Sequence, residues 1–280
     1  MTLPKLDRLS ALLEGLAPVV RLEHSSQSRI QGPQPQASTA IQMYFLVQGT
    51  AQLQTVGTVQ RIEAPALVAI DAHQPFVLDR FSSKDARRLI TARVDLTGPV
   101  AALFLEEFAC ARTVALQDDE PALRLAIAMI ESELDAPRCG QPALLDRAGD
   151  ILFIGLLRYL VAHPGIHGQG LFSGLADPRI AKALVAMHQH PALGWDLERL
   201  AQEAGMSRTA FASKFHEVMR RPPGKYLSAI RLAIAQRAVD QGRGLKEAAR
   251  MAGYQNSSAL SRALSKARQH QLPRESVVQA

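Results

Sequence analysis

The chain has 280 residues, 47% of them hydrophobic, which is enough for two packed domains, and its two cysteines argue against a disulfide-stapled secreted fold. No uncharged apolar run reaches the length of about 18 residues that a membrane span needs, and charges scattered through residues 1–16 do not match a signal peptide, so we expect a cytoplasmic protein without a membrane segment. The positive charge is confined to the last third: residues 178–280 hold 17 Lys and Arg against 7 Asp and Glu, whereas residues 1–177 hold 15 against 19. Such an excess is typical of a domain that binds a polyanion, the alternative being a basic domain that is merely soluble.

The N-terminal part of the chain predicts a helix followed by short strands. Five leucines along one face of residues 6–16 predict an amphipathic leading helix. From about residue 41 to 94, short apolar runs are separated by turn residues such as Gly49, Gly57 and Pro65. Short strands at this spacing are typical of a small antiparallel barrel or sandwich.

Helical periodicity follows at about residues 99–111, 120–134 and 142–162. Within the third of these segments, residues 151–157 are apolar nearly all round, which favours either a helix buried within its own domain or one that also forms a dimer seam. A Gly- and His-rich stretch begins at residue 163 and indicates a linker, which we place at 166–177. Everything after the linker has helical periodicity.

Residues 196–218 indicate a helix-turn-helix arrangement. Asp196 is suited to cap a first helix, and Gly205 to adopt the positive φ of a tight turn. In the next helix Phe211 and Phe215 are spaced i, i+4 and are expected to face inward. The opposite face carries the short side chains and flanking cations that a recognition helix presents to a groove, namely Arg208, Thr209, Ala212, Ser213 and Lys214. A helical hairpin with a purely structural role is the alternative.

The pattern of this turn recurs. The Ala-x3-Gly spacing that ends at Gly205 is repeated 48 residues later and ends at Gly253. The helix that follows would bury Leu260 and Leu264, while residues 223–240 between the two units predict a rigid spacer helix. Its outward or entering side chains would be Ser257, Ser258, Ser261 and Arg262. Two recognition helices on one spacer could enter successive major grooves, about 34 Å apart on the duplex. Chance duplication of a structural hairpin is the alternative.

Residues 178–272 resemble the DNA-binding domain of the AraC/XylS family of bacterial transcription regulators. The resemblance rests on LERLAQEAGMSRTAFASKF, PPGKYLSAIRLAIAQ and AARMAGYQNSSALSRAL. It implies two helix-turn-helix units, with Leu260 and Leu264 in place of the two Phe that the family usually has in the second. The DNA contacts that it implies are at Arg208, Thr209, Ala212, Ser213, Lys214, Asn256, Ser257, Ser258, Ser261 and Arg262.

Residues 40–95 resemble the cupin-like regulatory barrel that accompanies this domain in many family members, through MYFLVQGTAQL and RIEAPALVAIDAHQPFVL. A metal-binding cupin needs a His-x-His pair with further Glu and His ligands. Residues 40–95 contain no His-x-His, and His73 stands alone there, so we expect no metal and no other cofactor. We expect any effector to be a small organic molecule in the barrel mouth, lined by Tyr44, Leu46, Phe76 and Leu78.

The familiar catalytic signatures are missing from the sequence. It contains no Gly-rich phosphate loop, no GxSxG and no CxxC, so we do not expect an enzyme. Cys110 and Cys139 are predicted to be buried packing thiols. The alternative is a redox switch, which would require an exposed thiolate.

The predicted fold class is α+β. A cupin-like antiparallel β-barrel with flanking helices is expected at residues 1–165, and an all-α domain of two helix-turn-helix units joined by a spacer helix at 178–280. The predicted function is that of a sequence-specific DNA-binding transcription regulator that responds to an effector sensed by the N-terminal domain. Its expected partners are double-stranded DNA, RNA polymerase, a small-molecule effector and a second copy of the chain. The alternatives are a cupin-type enzyme with an accessory DNA-binding module and a constitutive DNA-binding protein without an effector.

Overall fold

The computed structural model describes residues 7–24, 29–33, 39–81, 89–116 and 121–271. The chain divides into two compact units, which comprise residues 1–178 and 179–280. No described helix is long and apolar enough to cross a membrane.

The N-terminal unit begins with a short helix, α1, at Ser10–Leu16 and continues with antiparallel strands. The strands are β1 Pro18–His24, β2 Arg29–Gly32, β3 Ala40–Leu46, β4 Thr50–Thr55, β5 Thr58–Glu63, β6 Ala66–Asp71, β7 Phe76–Phe81, β8 Leu89–Leu96 and β9 Arg112–Ala115. One sheet has the order β1-β8-β3-β6-β9 and the other the order β2-β7-β4-β5.

The two sheets form a sandwich, and the closed barrel predicted from the sequence is wrong. Across the described ranges, no strand pairing joins one sheet to the other. A closed barrel needs a hydrogen-bond ladder that continues around the whole circumference. Here the ladders end at β9 on one sheet and at β5 on the other, and a hydrogen bond from Thr113 Oγ1 to Gln60 Oε1 links these two edges at 3.2 Å. Side chains, rather than backbone pairing, therefore connect this side of the sandwich.

The space between the sheets is filled by side chains from alternate strand residues. Tyr44 of β3 and Phe76 of β7 are in contact, with ring centroids 5.6 Å apart. Their neighbours in this cluster are buried aliphatic side chains from both sheets. Removing such surface from water stabilises a fold by about 25 cal/mol per Å², so this cluster is a principal source of stability for the sandwich.

Helices cover the outer face of the larger sheet. They are α2 Ala101–Leu105 with a 3₁₀ turn at Glu106–Phe108, α3 Pro121–Asp135, α4 Gln141–Ala162, α5 Pro164–His167 and α6 Leu171–Ala176. Gly149 lets α4 lie close to β1, because a Cβ atom there would be 2.8 Å from Val20 Cγ1. Since β1, α3 and α6 all pack on α4, the apolar character of its residues 151–157 is explained by burial within its own unit. Ile151 of α4 is nevertheless 40% exposed.

The segment expected to be a linker contains α6, which is packed into the N-terminal unit. The Phe172 ring lies 5.9 Å from that of Phe104 and 6.0 Å from that of Phe108, both edge-on. Glu107 Oε1 accepts a hydrogen bond of 2.8 Å from the backbone N–H of Leu171. The Gly content of residues 168–174 suggested a loop, but the buried aromatic side chain and the carboxylate at the first turn hold a helix there.

In the residues that the structure describes, the C-terminal unit is built from helices, as the sequence predicts. Its helices are α7 Pro178–Gln189, α8 Leu197–Glu203, α9 Arg208–Met219, α10 Pro223–Asp240, α11 Leu245–Ala252 and α12 Ser257–Gln271.

Candidate nucleic-acid interface

The first hairpin of the C-terminal unit consists of α8, a tight turn and α9. Asp196 caps α8, since its Oδ1 accepts a hydrogen bond of 2.8 Å from the Arg199 N–H, and this predicted cap is confirmed. Gly205 in the turn has φ +62°, the left-handed conformation expected of it. Ser207 caps α9 through a 3.3 Å bond from the Ala210 N–H to its Oγ. The sequence itself therefore defines the start of each helix and the turn between them.

Helix α9 has a buried face and an exposed face, as expected of a recognition helix. Phe211 and Phe215 are fully buried, with ring centroids 5.5 Å apart. Phe215 also contacts Tyr226 of α10, at 6.0 Å between centroids. The opposite face consists of Arg208, Thr209 and Ser213, which are exposed, and Ala212 and Lys214, which are half-buried. Buried rings thus fix the helix, while short side chains leave its outer surface open to a groove.

An acidic neighbour that sequence reasoning did not identify lies on this face. Lys214 Nζ is 3.1 Å from Glu217 Oε1, three residues further along the helix. The i, i+3 spacing of the two residues is the signal that could have revealed the pair. Lys214 would have to exchange this exposed ion pair, which contributes about 0–1 kcal/mol, for a phosphate.

Helix α10 is the predicted spacer. It contains 18 residues and is therefore about 27 Å long. Leu227, Ile230 and Ala238 on its apolar stripe are buried, and Ile234 is half-buried. One continuous helix thus joins the first hairpin to the second.

The second hairpin, α11–turn–α12, repeats the hydrogen bonds of the first. The Tyr254 N–H bonds to the Ala249 carbonyl at 2.9 Å, as the Met206 N–H does to the Ala201 carbonyl at 2.9 Å. Gly253 has φ +75°, matching the left-handed glycine of the first turn. The repeated turn that the Ala-x3-Gly spacing predicts is therefore present.

Helix α12 also separates a buried face from an exposed one. Leu260 and Leu264 pack into a cluster with α10 and α11. The side chains predicted to contact DNA are Ser258, Ser261 and Arg262, which are exposed, and Ser257, which is half-buried. Asn256 is exposed, and its Oδ1 caps the helix by accepting a 2.8 Å hydrogen bond from the Ala259 N–H. Leu260 and Leu264 therefore anchor the inner face of this helix, as the sequence predicts.

A loop at residues 190–195 ties the two hairpins to the spacer helix. Arg231 of α10 donates hydrogen bonds to the carbonyls of Pro191, at 2.8 Å, and Leu193, at 2.6 Å. Gly253 packs so closely on this loop that a Cβ atom would lie 2.6 Å from Ala192 Cα. The sequence analysis did not predict these hydrogen bonds of Arg231. Its position beside the apolar stripe of the spacer helix was the signal that could have indicated a structural contact.

Each of the two units matches the model of a known protein family. The model of the cupin family matches residues 7–162, which is more than half of the chain. A model described as a helix-turn-helix domain matches residues 200–275. An AraC-like transcription regulator of Streptomyces lividans is 31% identical over 137 residues, which cover 49% of this chain and 45% of that protein. The HTH-type transcriptional regulator AlkR of Acinetobacter baylyi is 28% identical over 142 residues, 50% of this chain and 46% of that protein.

The chain belongs to the AraC family of regulators, with an N-terminal cupin domain. It spans about half the length of the curated relatives that it matches. Among solved structures, ToxT from Vibrio cholerae O395 aligns with 89% of this chain and 92% of its own at 12% identity, with a TM-score of 0.36.

The residues expected to line an effector site in the cupin domain are brought together, but inside the packed core. Tyr44, Leu46, Phe76 and Leu78 all belong to the buried cluster between the sheets. A separate cavity of about 390 Å³ lies nearby, at the end of the sandwich formed by the β4–β5 and β6–β7 turns and residues 109–111. The four predicted residues are not among those that line this cavity.

The exposure of the two cysteines in the cupin domain differs from the sequence prediction. Cys110 and Cys139 are both exposed, so their prediction as buried packing thiols is wrong. Both lie in short connections that follow a helix, where helical periodicity gives no information about burial. Cys110 lines the cavity at the end of the sandwich.

His73 of the cupin domain is exposed, and its Nδ1 lies 2.9 Å from Asp71 Oδ1. Within the ranges that the structure describes, no three His, Cys, Asp or Glu side chains come together in a way that could hold a metal ion.

Proposed function

We propose that this AraC-family chain is a sequence-specific DNA-binding transcription regulator. The observation that carries the proposal is the two-faced character of α9, with a buried aromatic inner face and an outer face of Arg208, Thr209, Ala212, Ser213 and Lys214. An α-helix fits the major groove of B-DNA, and short side chains let its backbone approach the base edges. The excess of Lys and Arg over Asp and Glu in residues 178–280 supplies the attraction to phosphate.

We further propose that both hairpins act as helix-turn-helix units. The shared hydrogen bonds of their turns and the continuous spacer helix support this reading. In the first hairpin the outer side chains are short, so its base recognition would depend mainly on fit and on contact with thymine methyl groups. In the second, Arg262 is exposed and has the planar donor geometry that binds guanine O6 and N7. The two hairpins would therefore divide the reading of one site between adjacent grooves.

The proposal predicts different consequences for three cationic side chains. Arg208→Ala and Lys214→Ala should weaken binding similarly on all sequences, because phosphate contacts carry no sequence information. Arg262→Ala should relax the preference at one or two base pairs at one end of the site, with a loss of about 1–3 kcal/mol of discrimination there. The measurement is selection of duplexes from a random pool by each full-length variant, followed by affinities for the selected sequence and for its single-base changes.

Lys246→Ala provides a matched control for Arg262→Ala, because it removes an exposed cation from α11, the other helix of the same hairpin. It should not change preference at any base pair. A protected region confined to one major groove, together with Arg262→Ala behaving as the wild type, would show that the second hairpin is purely structural.

The remaining parts of the proposal rest on family membership. We propose a small-molecule effector sensed by the cupin domain, a cytoplasmic location, a homodimer in which α4 contributes through exposed Ile151, and RNA polymerase as a further partner. Sedimentation equilibrium of the full-length chain at the mass of one copy would contradict the homodimer.

A further inference from the structure

The cavity beside Cys110 in the cupin domain is bordered by both sheets and by the segment that precedes β9. Its volume is about 390 Å³, within the lower range of pockets that hold small ligands. The sheets contribute Leu53 and Thr55 of β4, Thr58 and Gln60 of β5 and Ile70 of β6; the turns add Val56, Gln74 and Pro75; and Ala109, Cys110 and Ala111 form the remaining wall.

The chemistry of this lining favours an uncharged ligand. None of the residues that line the cavity is charged, and most are aliphatic or small. A carboxylate or an ammonium group placed there would lose hydration without gaining a counter-ion, which is strongly unfavourable. The threonine hydroxyls already bond to each other, Thr55 Oγ1 to Thr58 Oγ1 at 2.5 Å. Gln60 and Gln74 therefore provide the amide groups that could orient a ligand.

A buried hydrogen-bond acceptor, the side-chain oxygen of Gln42, lies on the strand next to Ile70, one of the residues that line the cavity. Gln42 of β3 stands opposite Ile70 in the β3–β6 ladder, one strand away, or about 5 Å. It is almost fully buried, and its Oε1 has no hydrogen-bond partner in the part of the chain that the structure describes. Buried acceptors are nearly always paired, so this acceptor is an exception on the strand next to the cavity.

The wall of the cavity continues directly into contacts with α6. Residues 109–111 face the cavity, whereas the flanking Phe108 packs on Phe172 of α6 and Glu107 bonds to the backbone N–H of Leu171. Arg112 holds the same segment from the other side, by donating a 2.7 Å hydrogen bond to the Glu107 carbonyl. The α6 helix ends at Ala176, immediately before the C-terminal unit begins. A molecule that displaces residues 109–111 would therefore act on the last element of the cupin domain.

We propose that this cavity binds a small, neutral, mostly apolar molecule and that occupancy is passed through residues 107–112 to α6. The inference rests on the proposed regulatory function and identifies the effector class and its site. It replaces the buried core residues Tyr44, Leu46, Phe76 and Leu78 as the lining of that site.

The exposed Cys110 allows the cavity to be tested without knowledge of the natural effector. The probes are N-phenylmaleimide, which is neutral and apolar, and maleimidopropionic acid, which carries a carboxylate. In both reactions the thiol loses its proton to solvent, the thiolate sulfur bonds to one alkene carbon, the C=C π bond breaks, and the neighbouring carbon takes a proton from water. Each thiol is isolated in the full-length chain, Cys110 by Cys139→Ser and Cys139 by Cys110→Ser.

We expect the ratio of the apolar to the charged rate constant to be about tenfold higher at Cys110 than at Cys139, which corresponds to about 1.4 kcal/mol of preferential binding. Cys139 is the matched control because it is exposed and does not line the cavity. Ala109→Trp fills the cavity from an exposed position and should abolish the preference at Cys110. Equal ratios at the two thiols, or a preference that Ala109→Trp leaves unchanged, would overturn the proposed site.

A second measurement tests the route to α6. Labelling Cys110 with N-phenylmaleimide in the Cys139→Ser chain should change the Kd for the selected duplex at least several-fold, and Glu107→Ala should reduce this change. A cavity preference without any change in Kd would overturn the effector role. Failure of both the labelled and the unlabelled chain to bind any selected duplex would instead contradict the proposed function.

Discussion

The affinity of the full-length chain for duplex DNA is expected to fall about 10³-fold between 50 and 200 mM salt if about six phosphates are neutralised. The physical reason is the release of counterions from DNA when lysine and arginine side chains replace them. The cations needed are present, since residues 178–280 contain 17 Lys and Arg and only 7 Asp and Glu. Arg208, exposed at the first turn of α9, is placed to contribute one of these contacts.

The measurement is the Kd for the selected duplex at a series of salt concentrations. Arg208→Ala should reduce the slope of log affinity against log salt by about 1, as the loss of one phosphate contact does. Arg61→Ala is the control, because Arg61 is an exposed arginine of the cupin domain and its removal should leave the slope unchanged. Affinity that stays flat across this range would contradict the assignment of the C-terminal unit as a DNA-binding domain.

The stability of the C-terminal unit is expected to decrease as the pH is lowered from 7 to 5, because of His188. Its Nε2 lies 2.8 Å from the Tyr226 hydroxyl, and its ring packs edge-on against the Tyr226 ring. Tyr226 in turn contacts Phe215 on the buried face of α9. Burial of the imidazole lowers the pKa of His188 from 6.5 to about 4. The folded unit therefore keeps this histidine neutral at pH values where the unfolded chain protonates it.

The direction of the effect follows from proton linkage. Between the unfolded pKa near 6.5 and the folded pKa near 4, the unfolded state binds the additional proton, so the free energy of unfolding falls as the pH falls. A shift of this size corresponds to about 3 kcal/mol in total, of which about 2 kcal/mol would be lost between pH 7 and pH 5. Above pH 6.5 the contribution is fully retained.

Urea unfolding followed by tryptophan fluorescence measures this effect in the C-terminal unit, since Trp195 is the single tryptophan of the chain. His188→Gln should remove about 2 kcal/mol of the loss seen between pH 7 and pH 5, because an amide does not titrate there. His190→Gln changes an exposed histidine of the same unit and is the control, with an unchanged pH dependence expected. If His188→Gln and the wild type lose stability in parallel, His188 is not kept neutral by the fold.

Interactions between residues close together in the chain allowed the helices and turns of the C-terminal unit to be predicted correctly from the sequence. The cap at Asp196, the left-handed Gly205 and the inward Phe211 and Phe215 each depend on interactions within a few residues, and each is present as predicted. The repeat of the Ala-x3-Gly spacing predicted a second turn, and its hydrogen bonds match those of the first. These features are visible in the sequence because helix capping, turn glycines and helical periodicity depend on residues that are close together in the chain.

The cupin domain was less predictable, since its features depend on contacts between distant residues. Strand alternation showed that Tyr44 and Phe76 share an inward face, but a cavity and a packed core present the same alternation. Only the approach of the second sheet decided that these side chains fill the core. The same limit applies to Cys110, whose exposure depends on how residues 109–111 lie across the end of the sandwich.

The sequence by itself determined the helical hairpins, the spacer helix, the basic character of the C-terminal unit and the presence of an apolar strand-rich domain before it. The tertiary structure decided that the strands form a sandwich, that α6 packs in the N-terminal unit, and that a cavity opens beside Cys110. It also revealed that Arg231 and Gly253 contact the loop at residues 190–195, which precedes the first hairpin. The division has one physical cause: hydrogen bonds and periodicity within a helix are encoded by neighbours in the chain, whereas closure of a sheet and the shape of a cavity depend on side chains that only folding brings together.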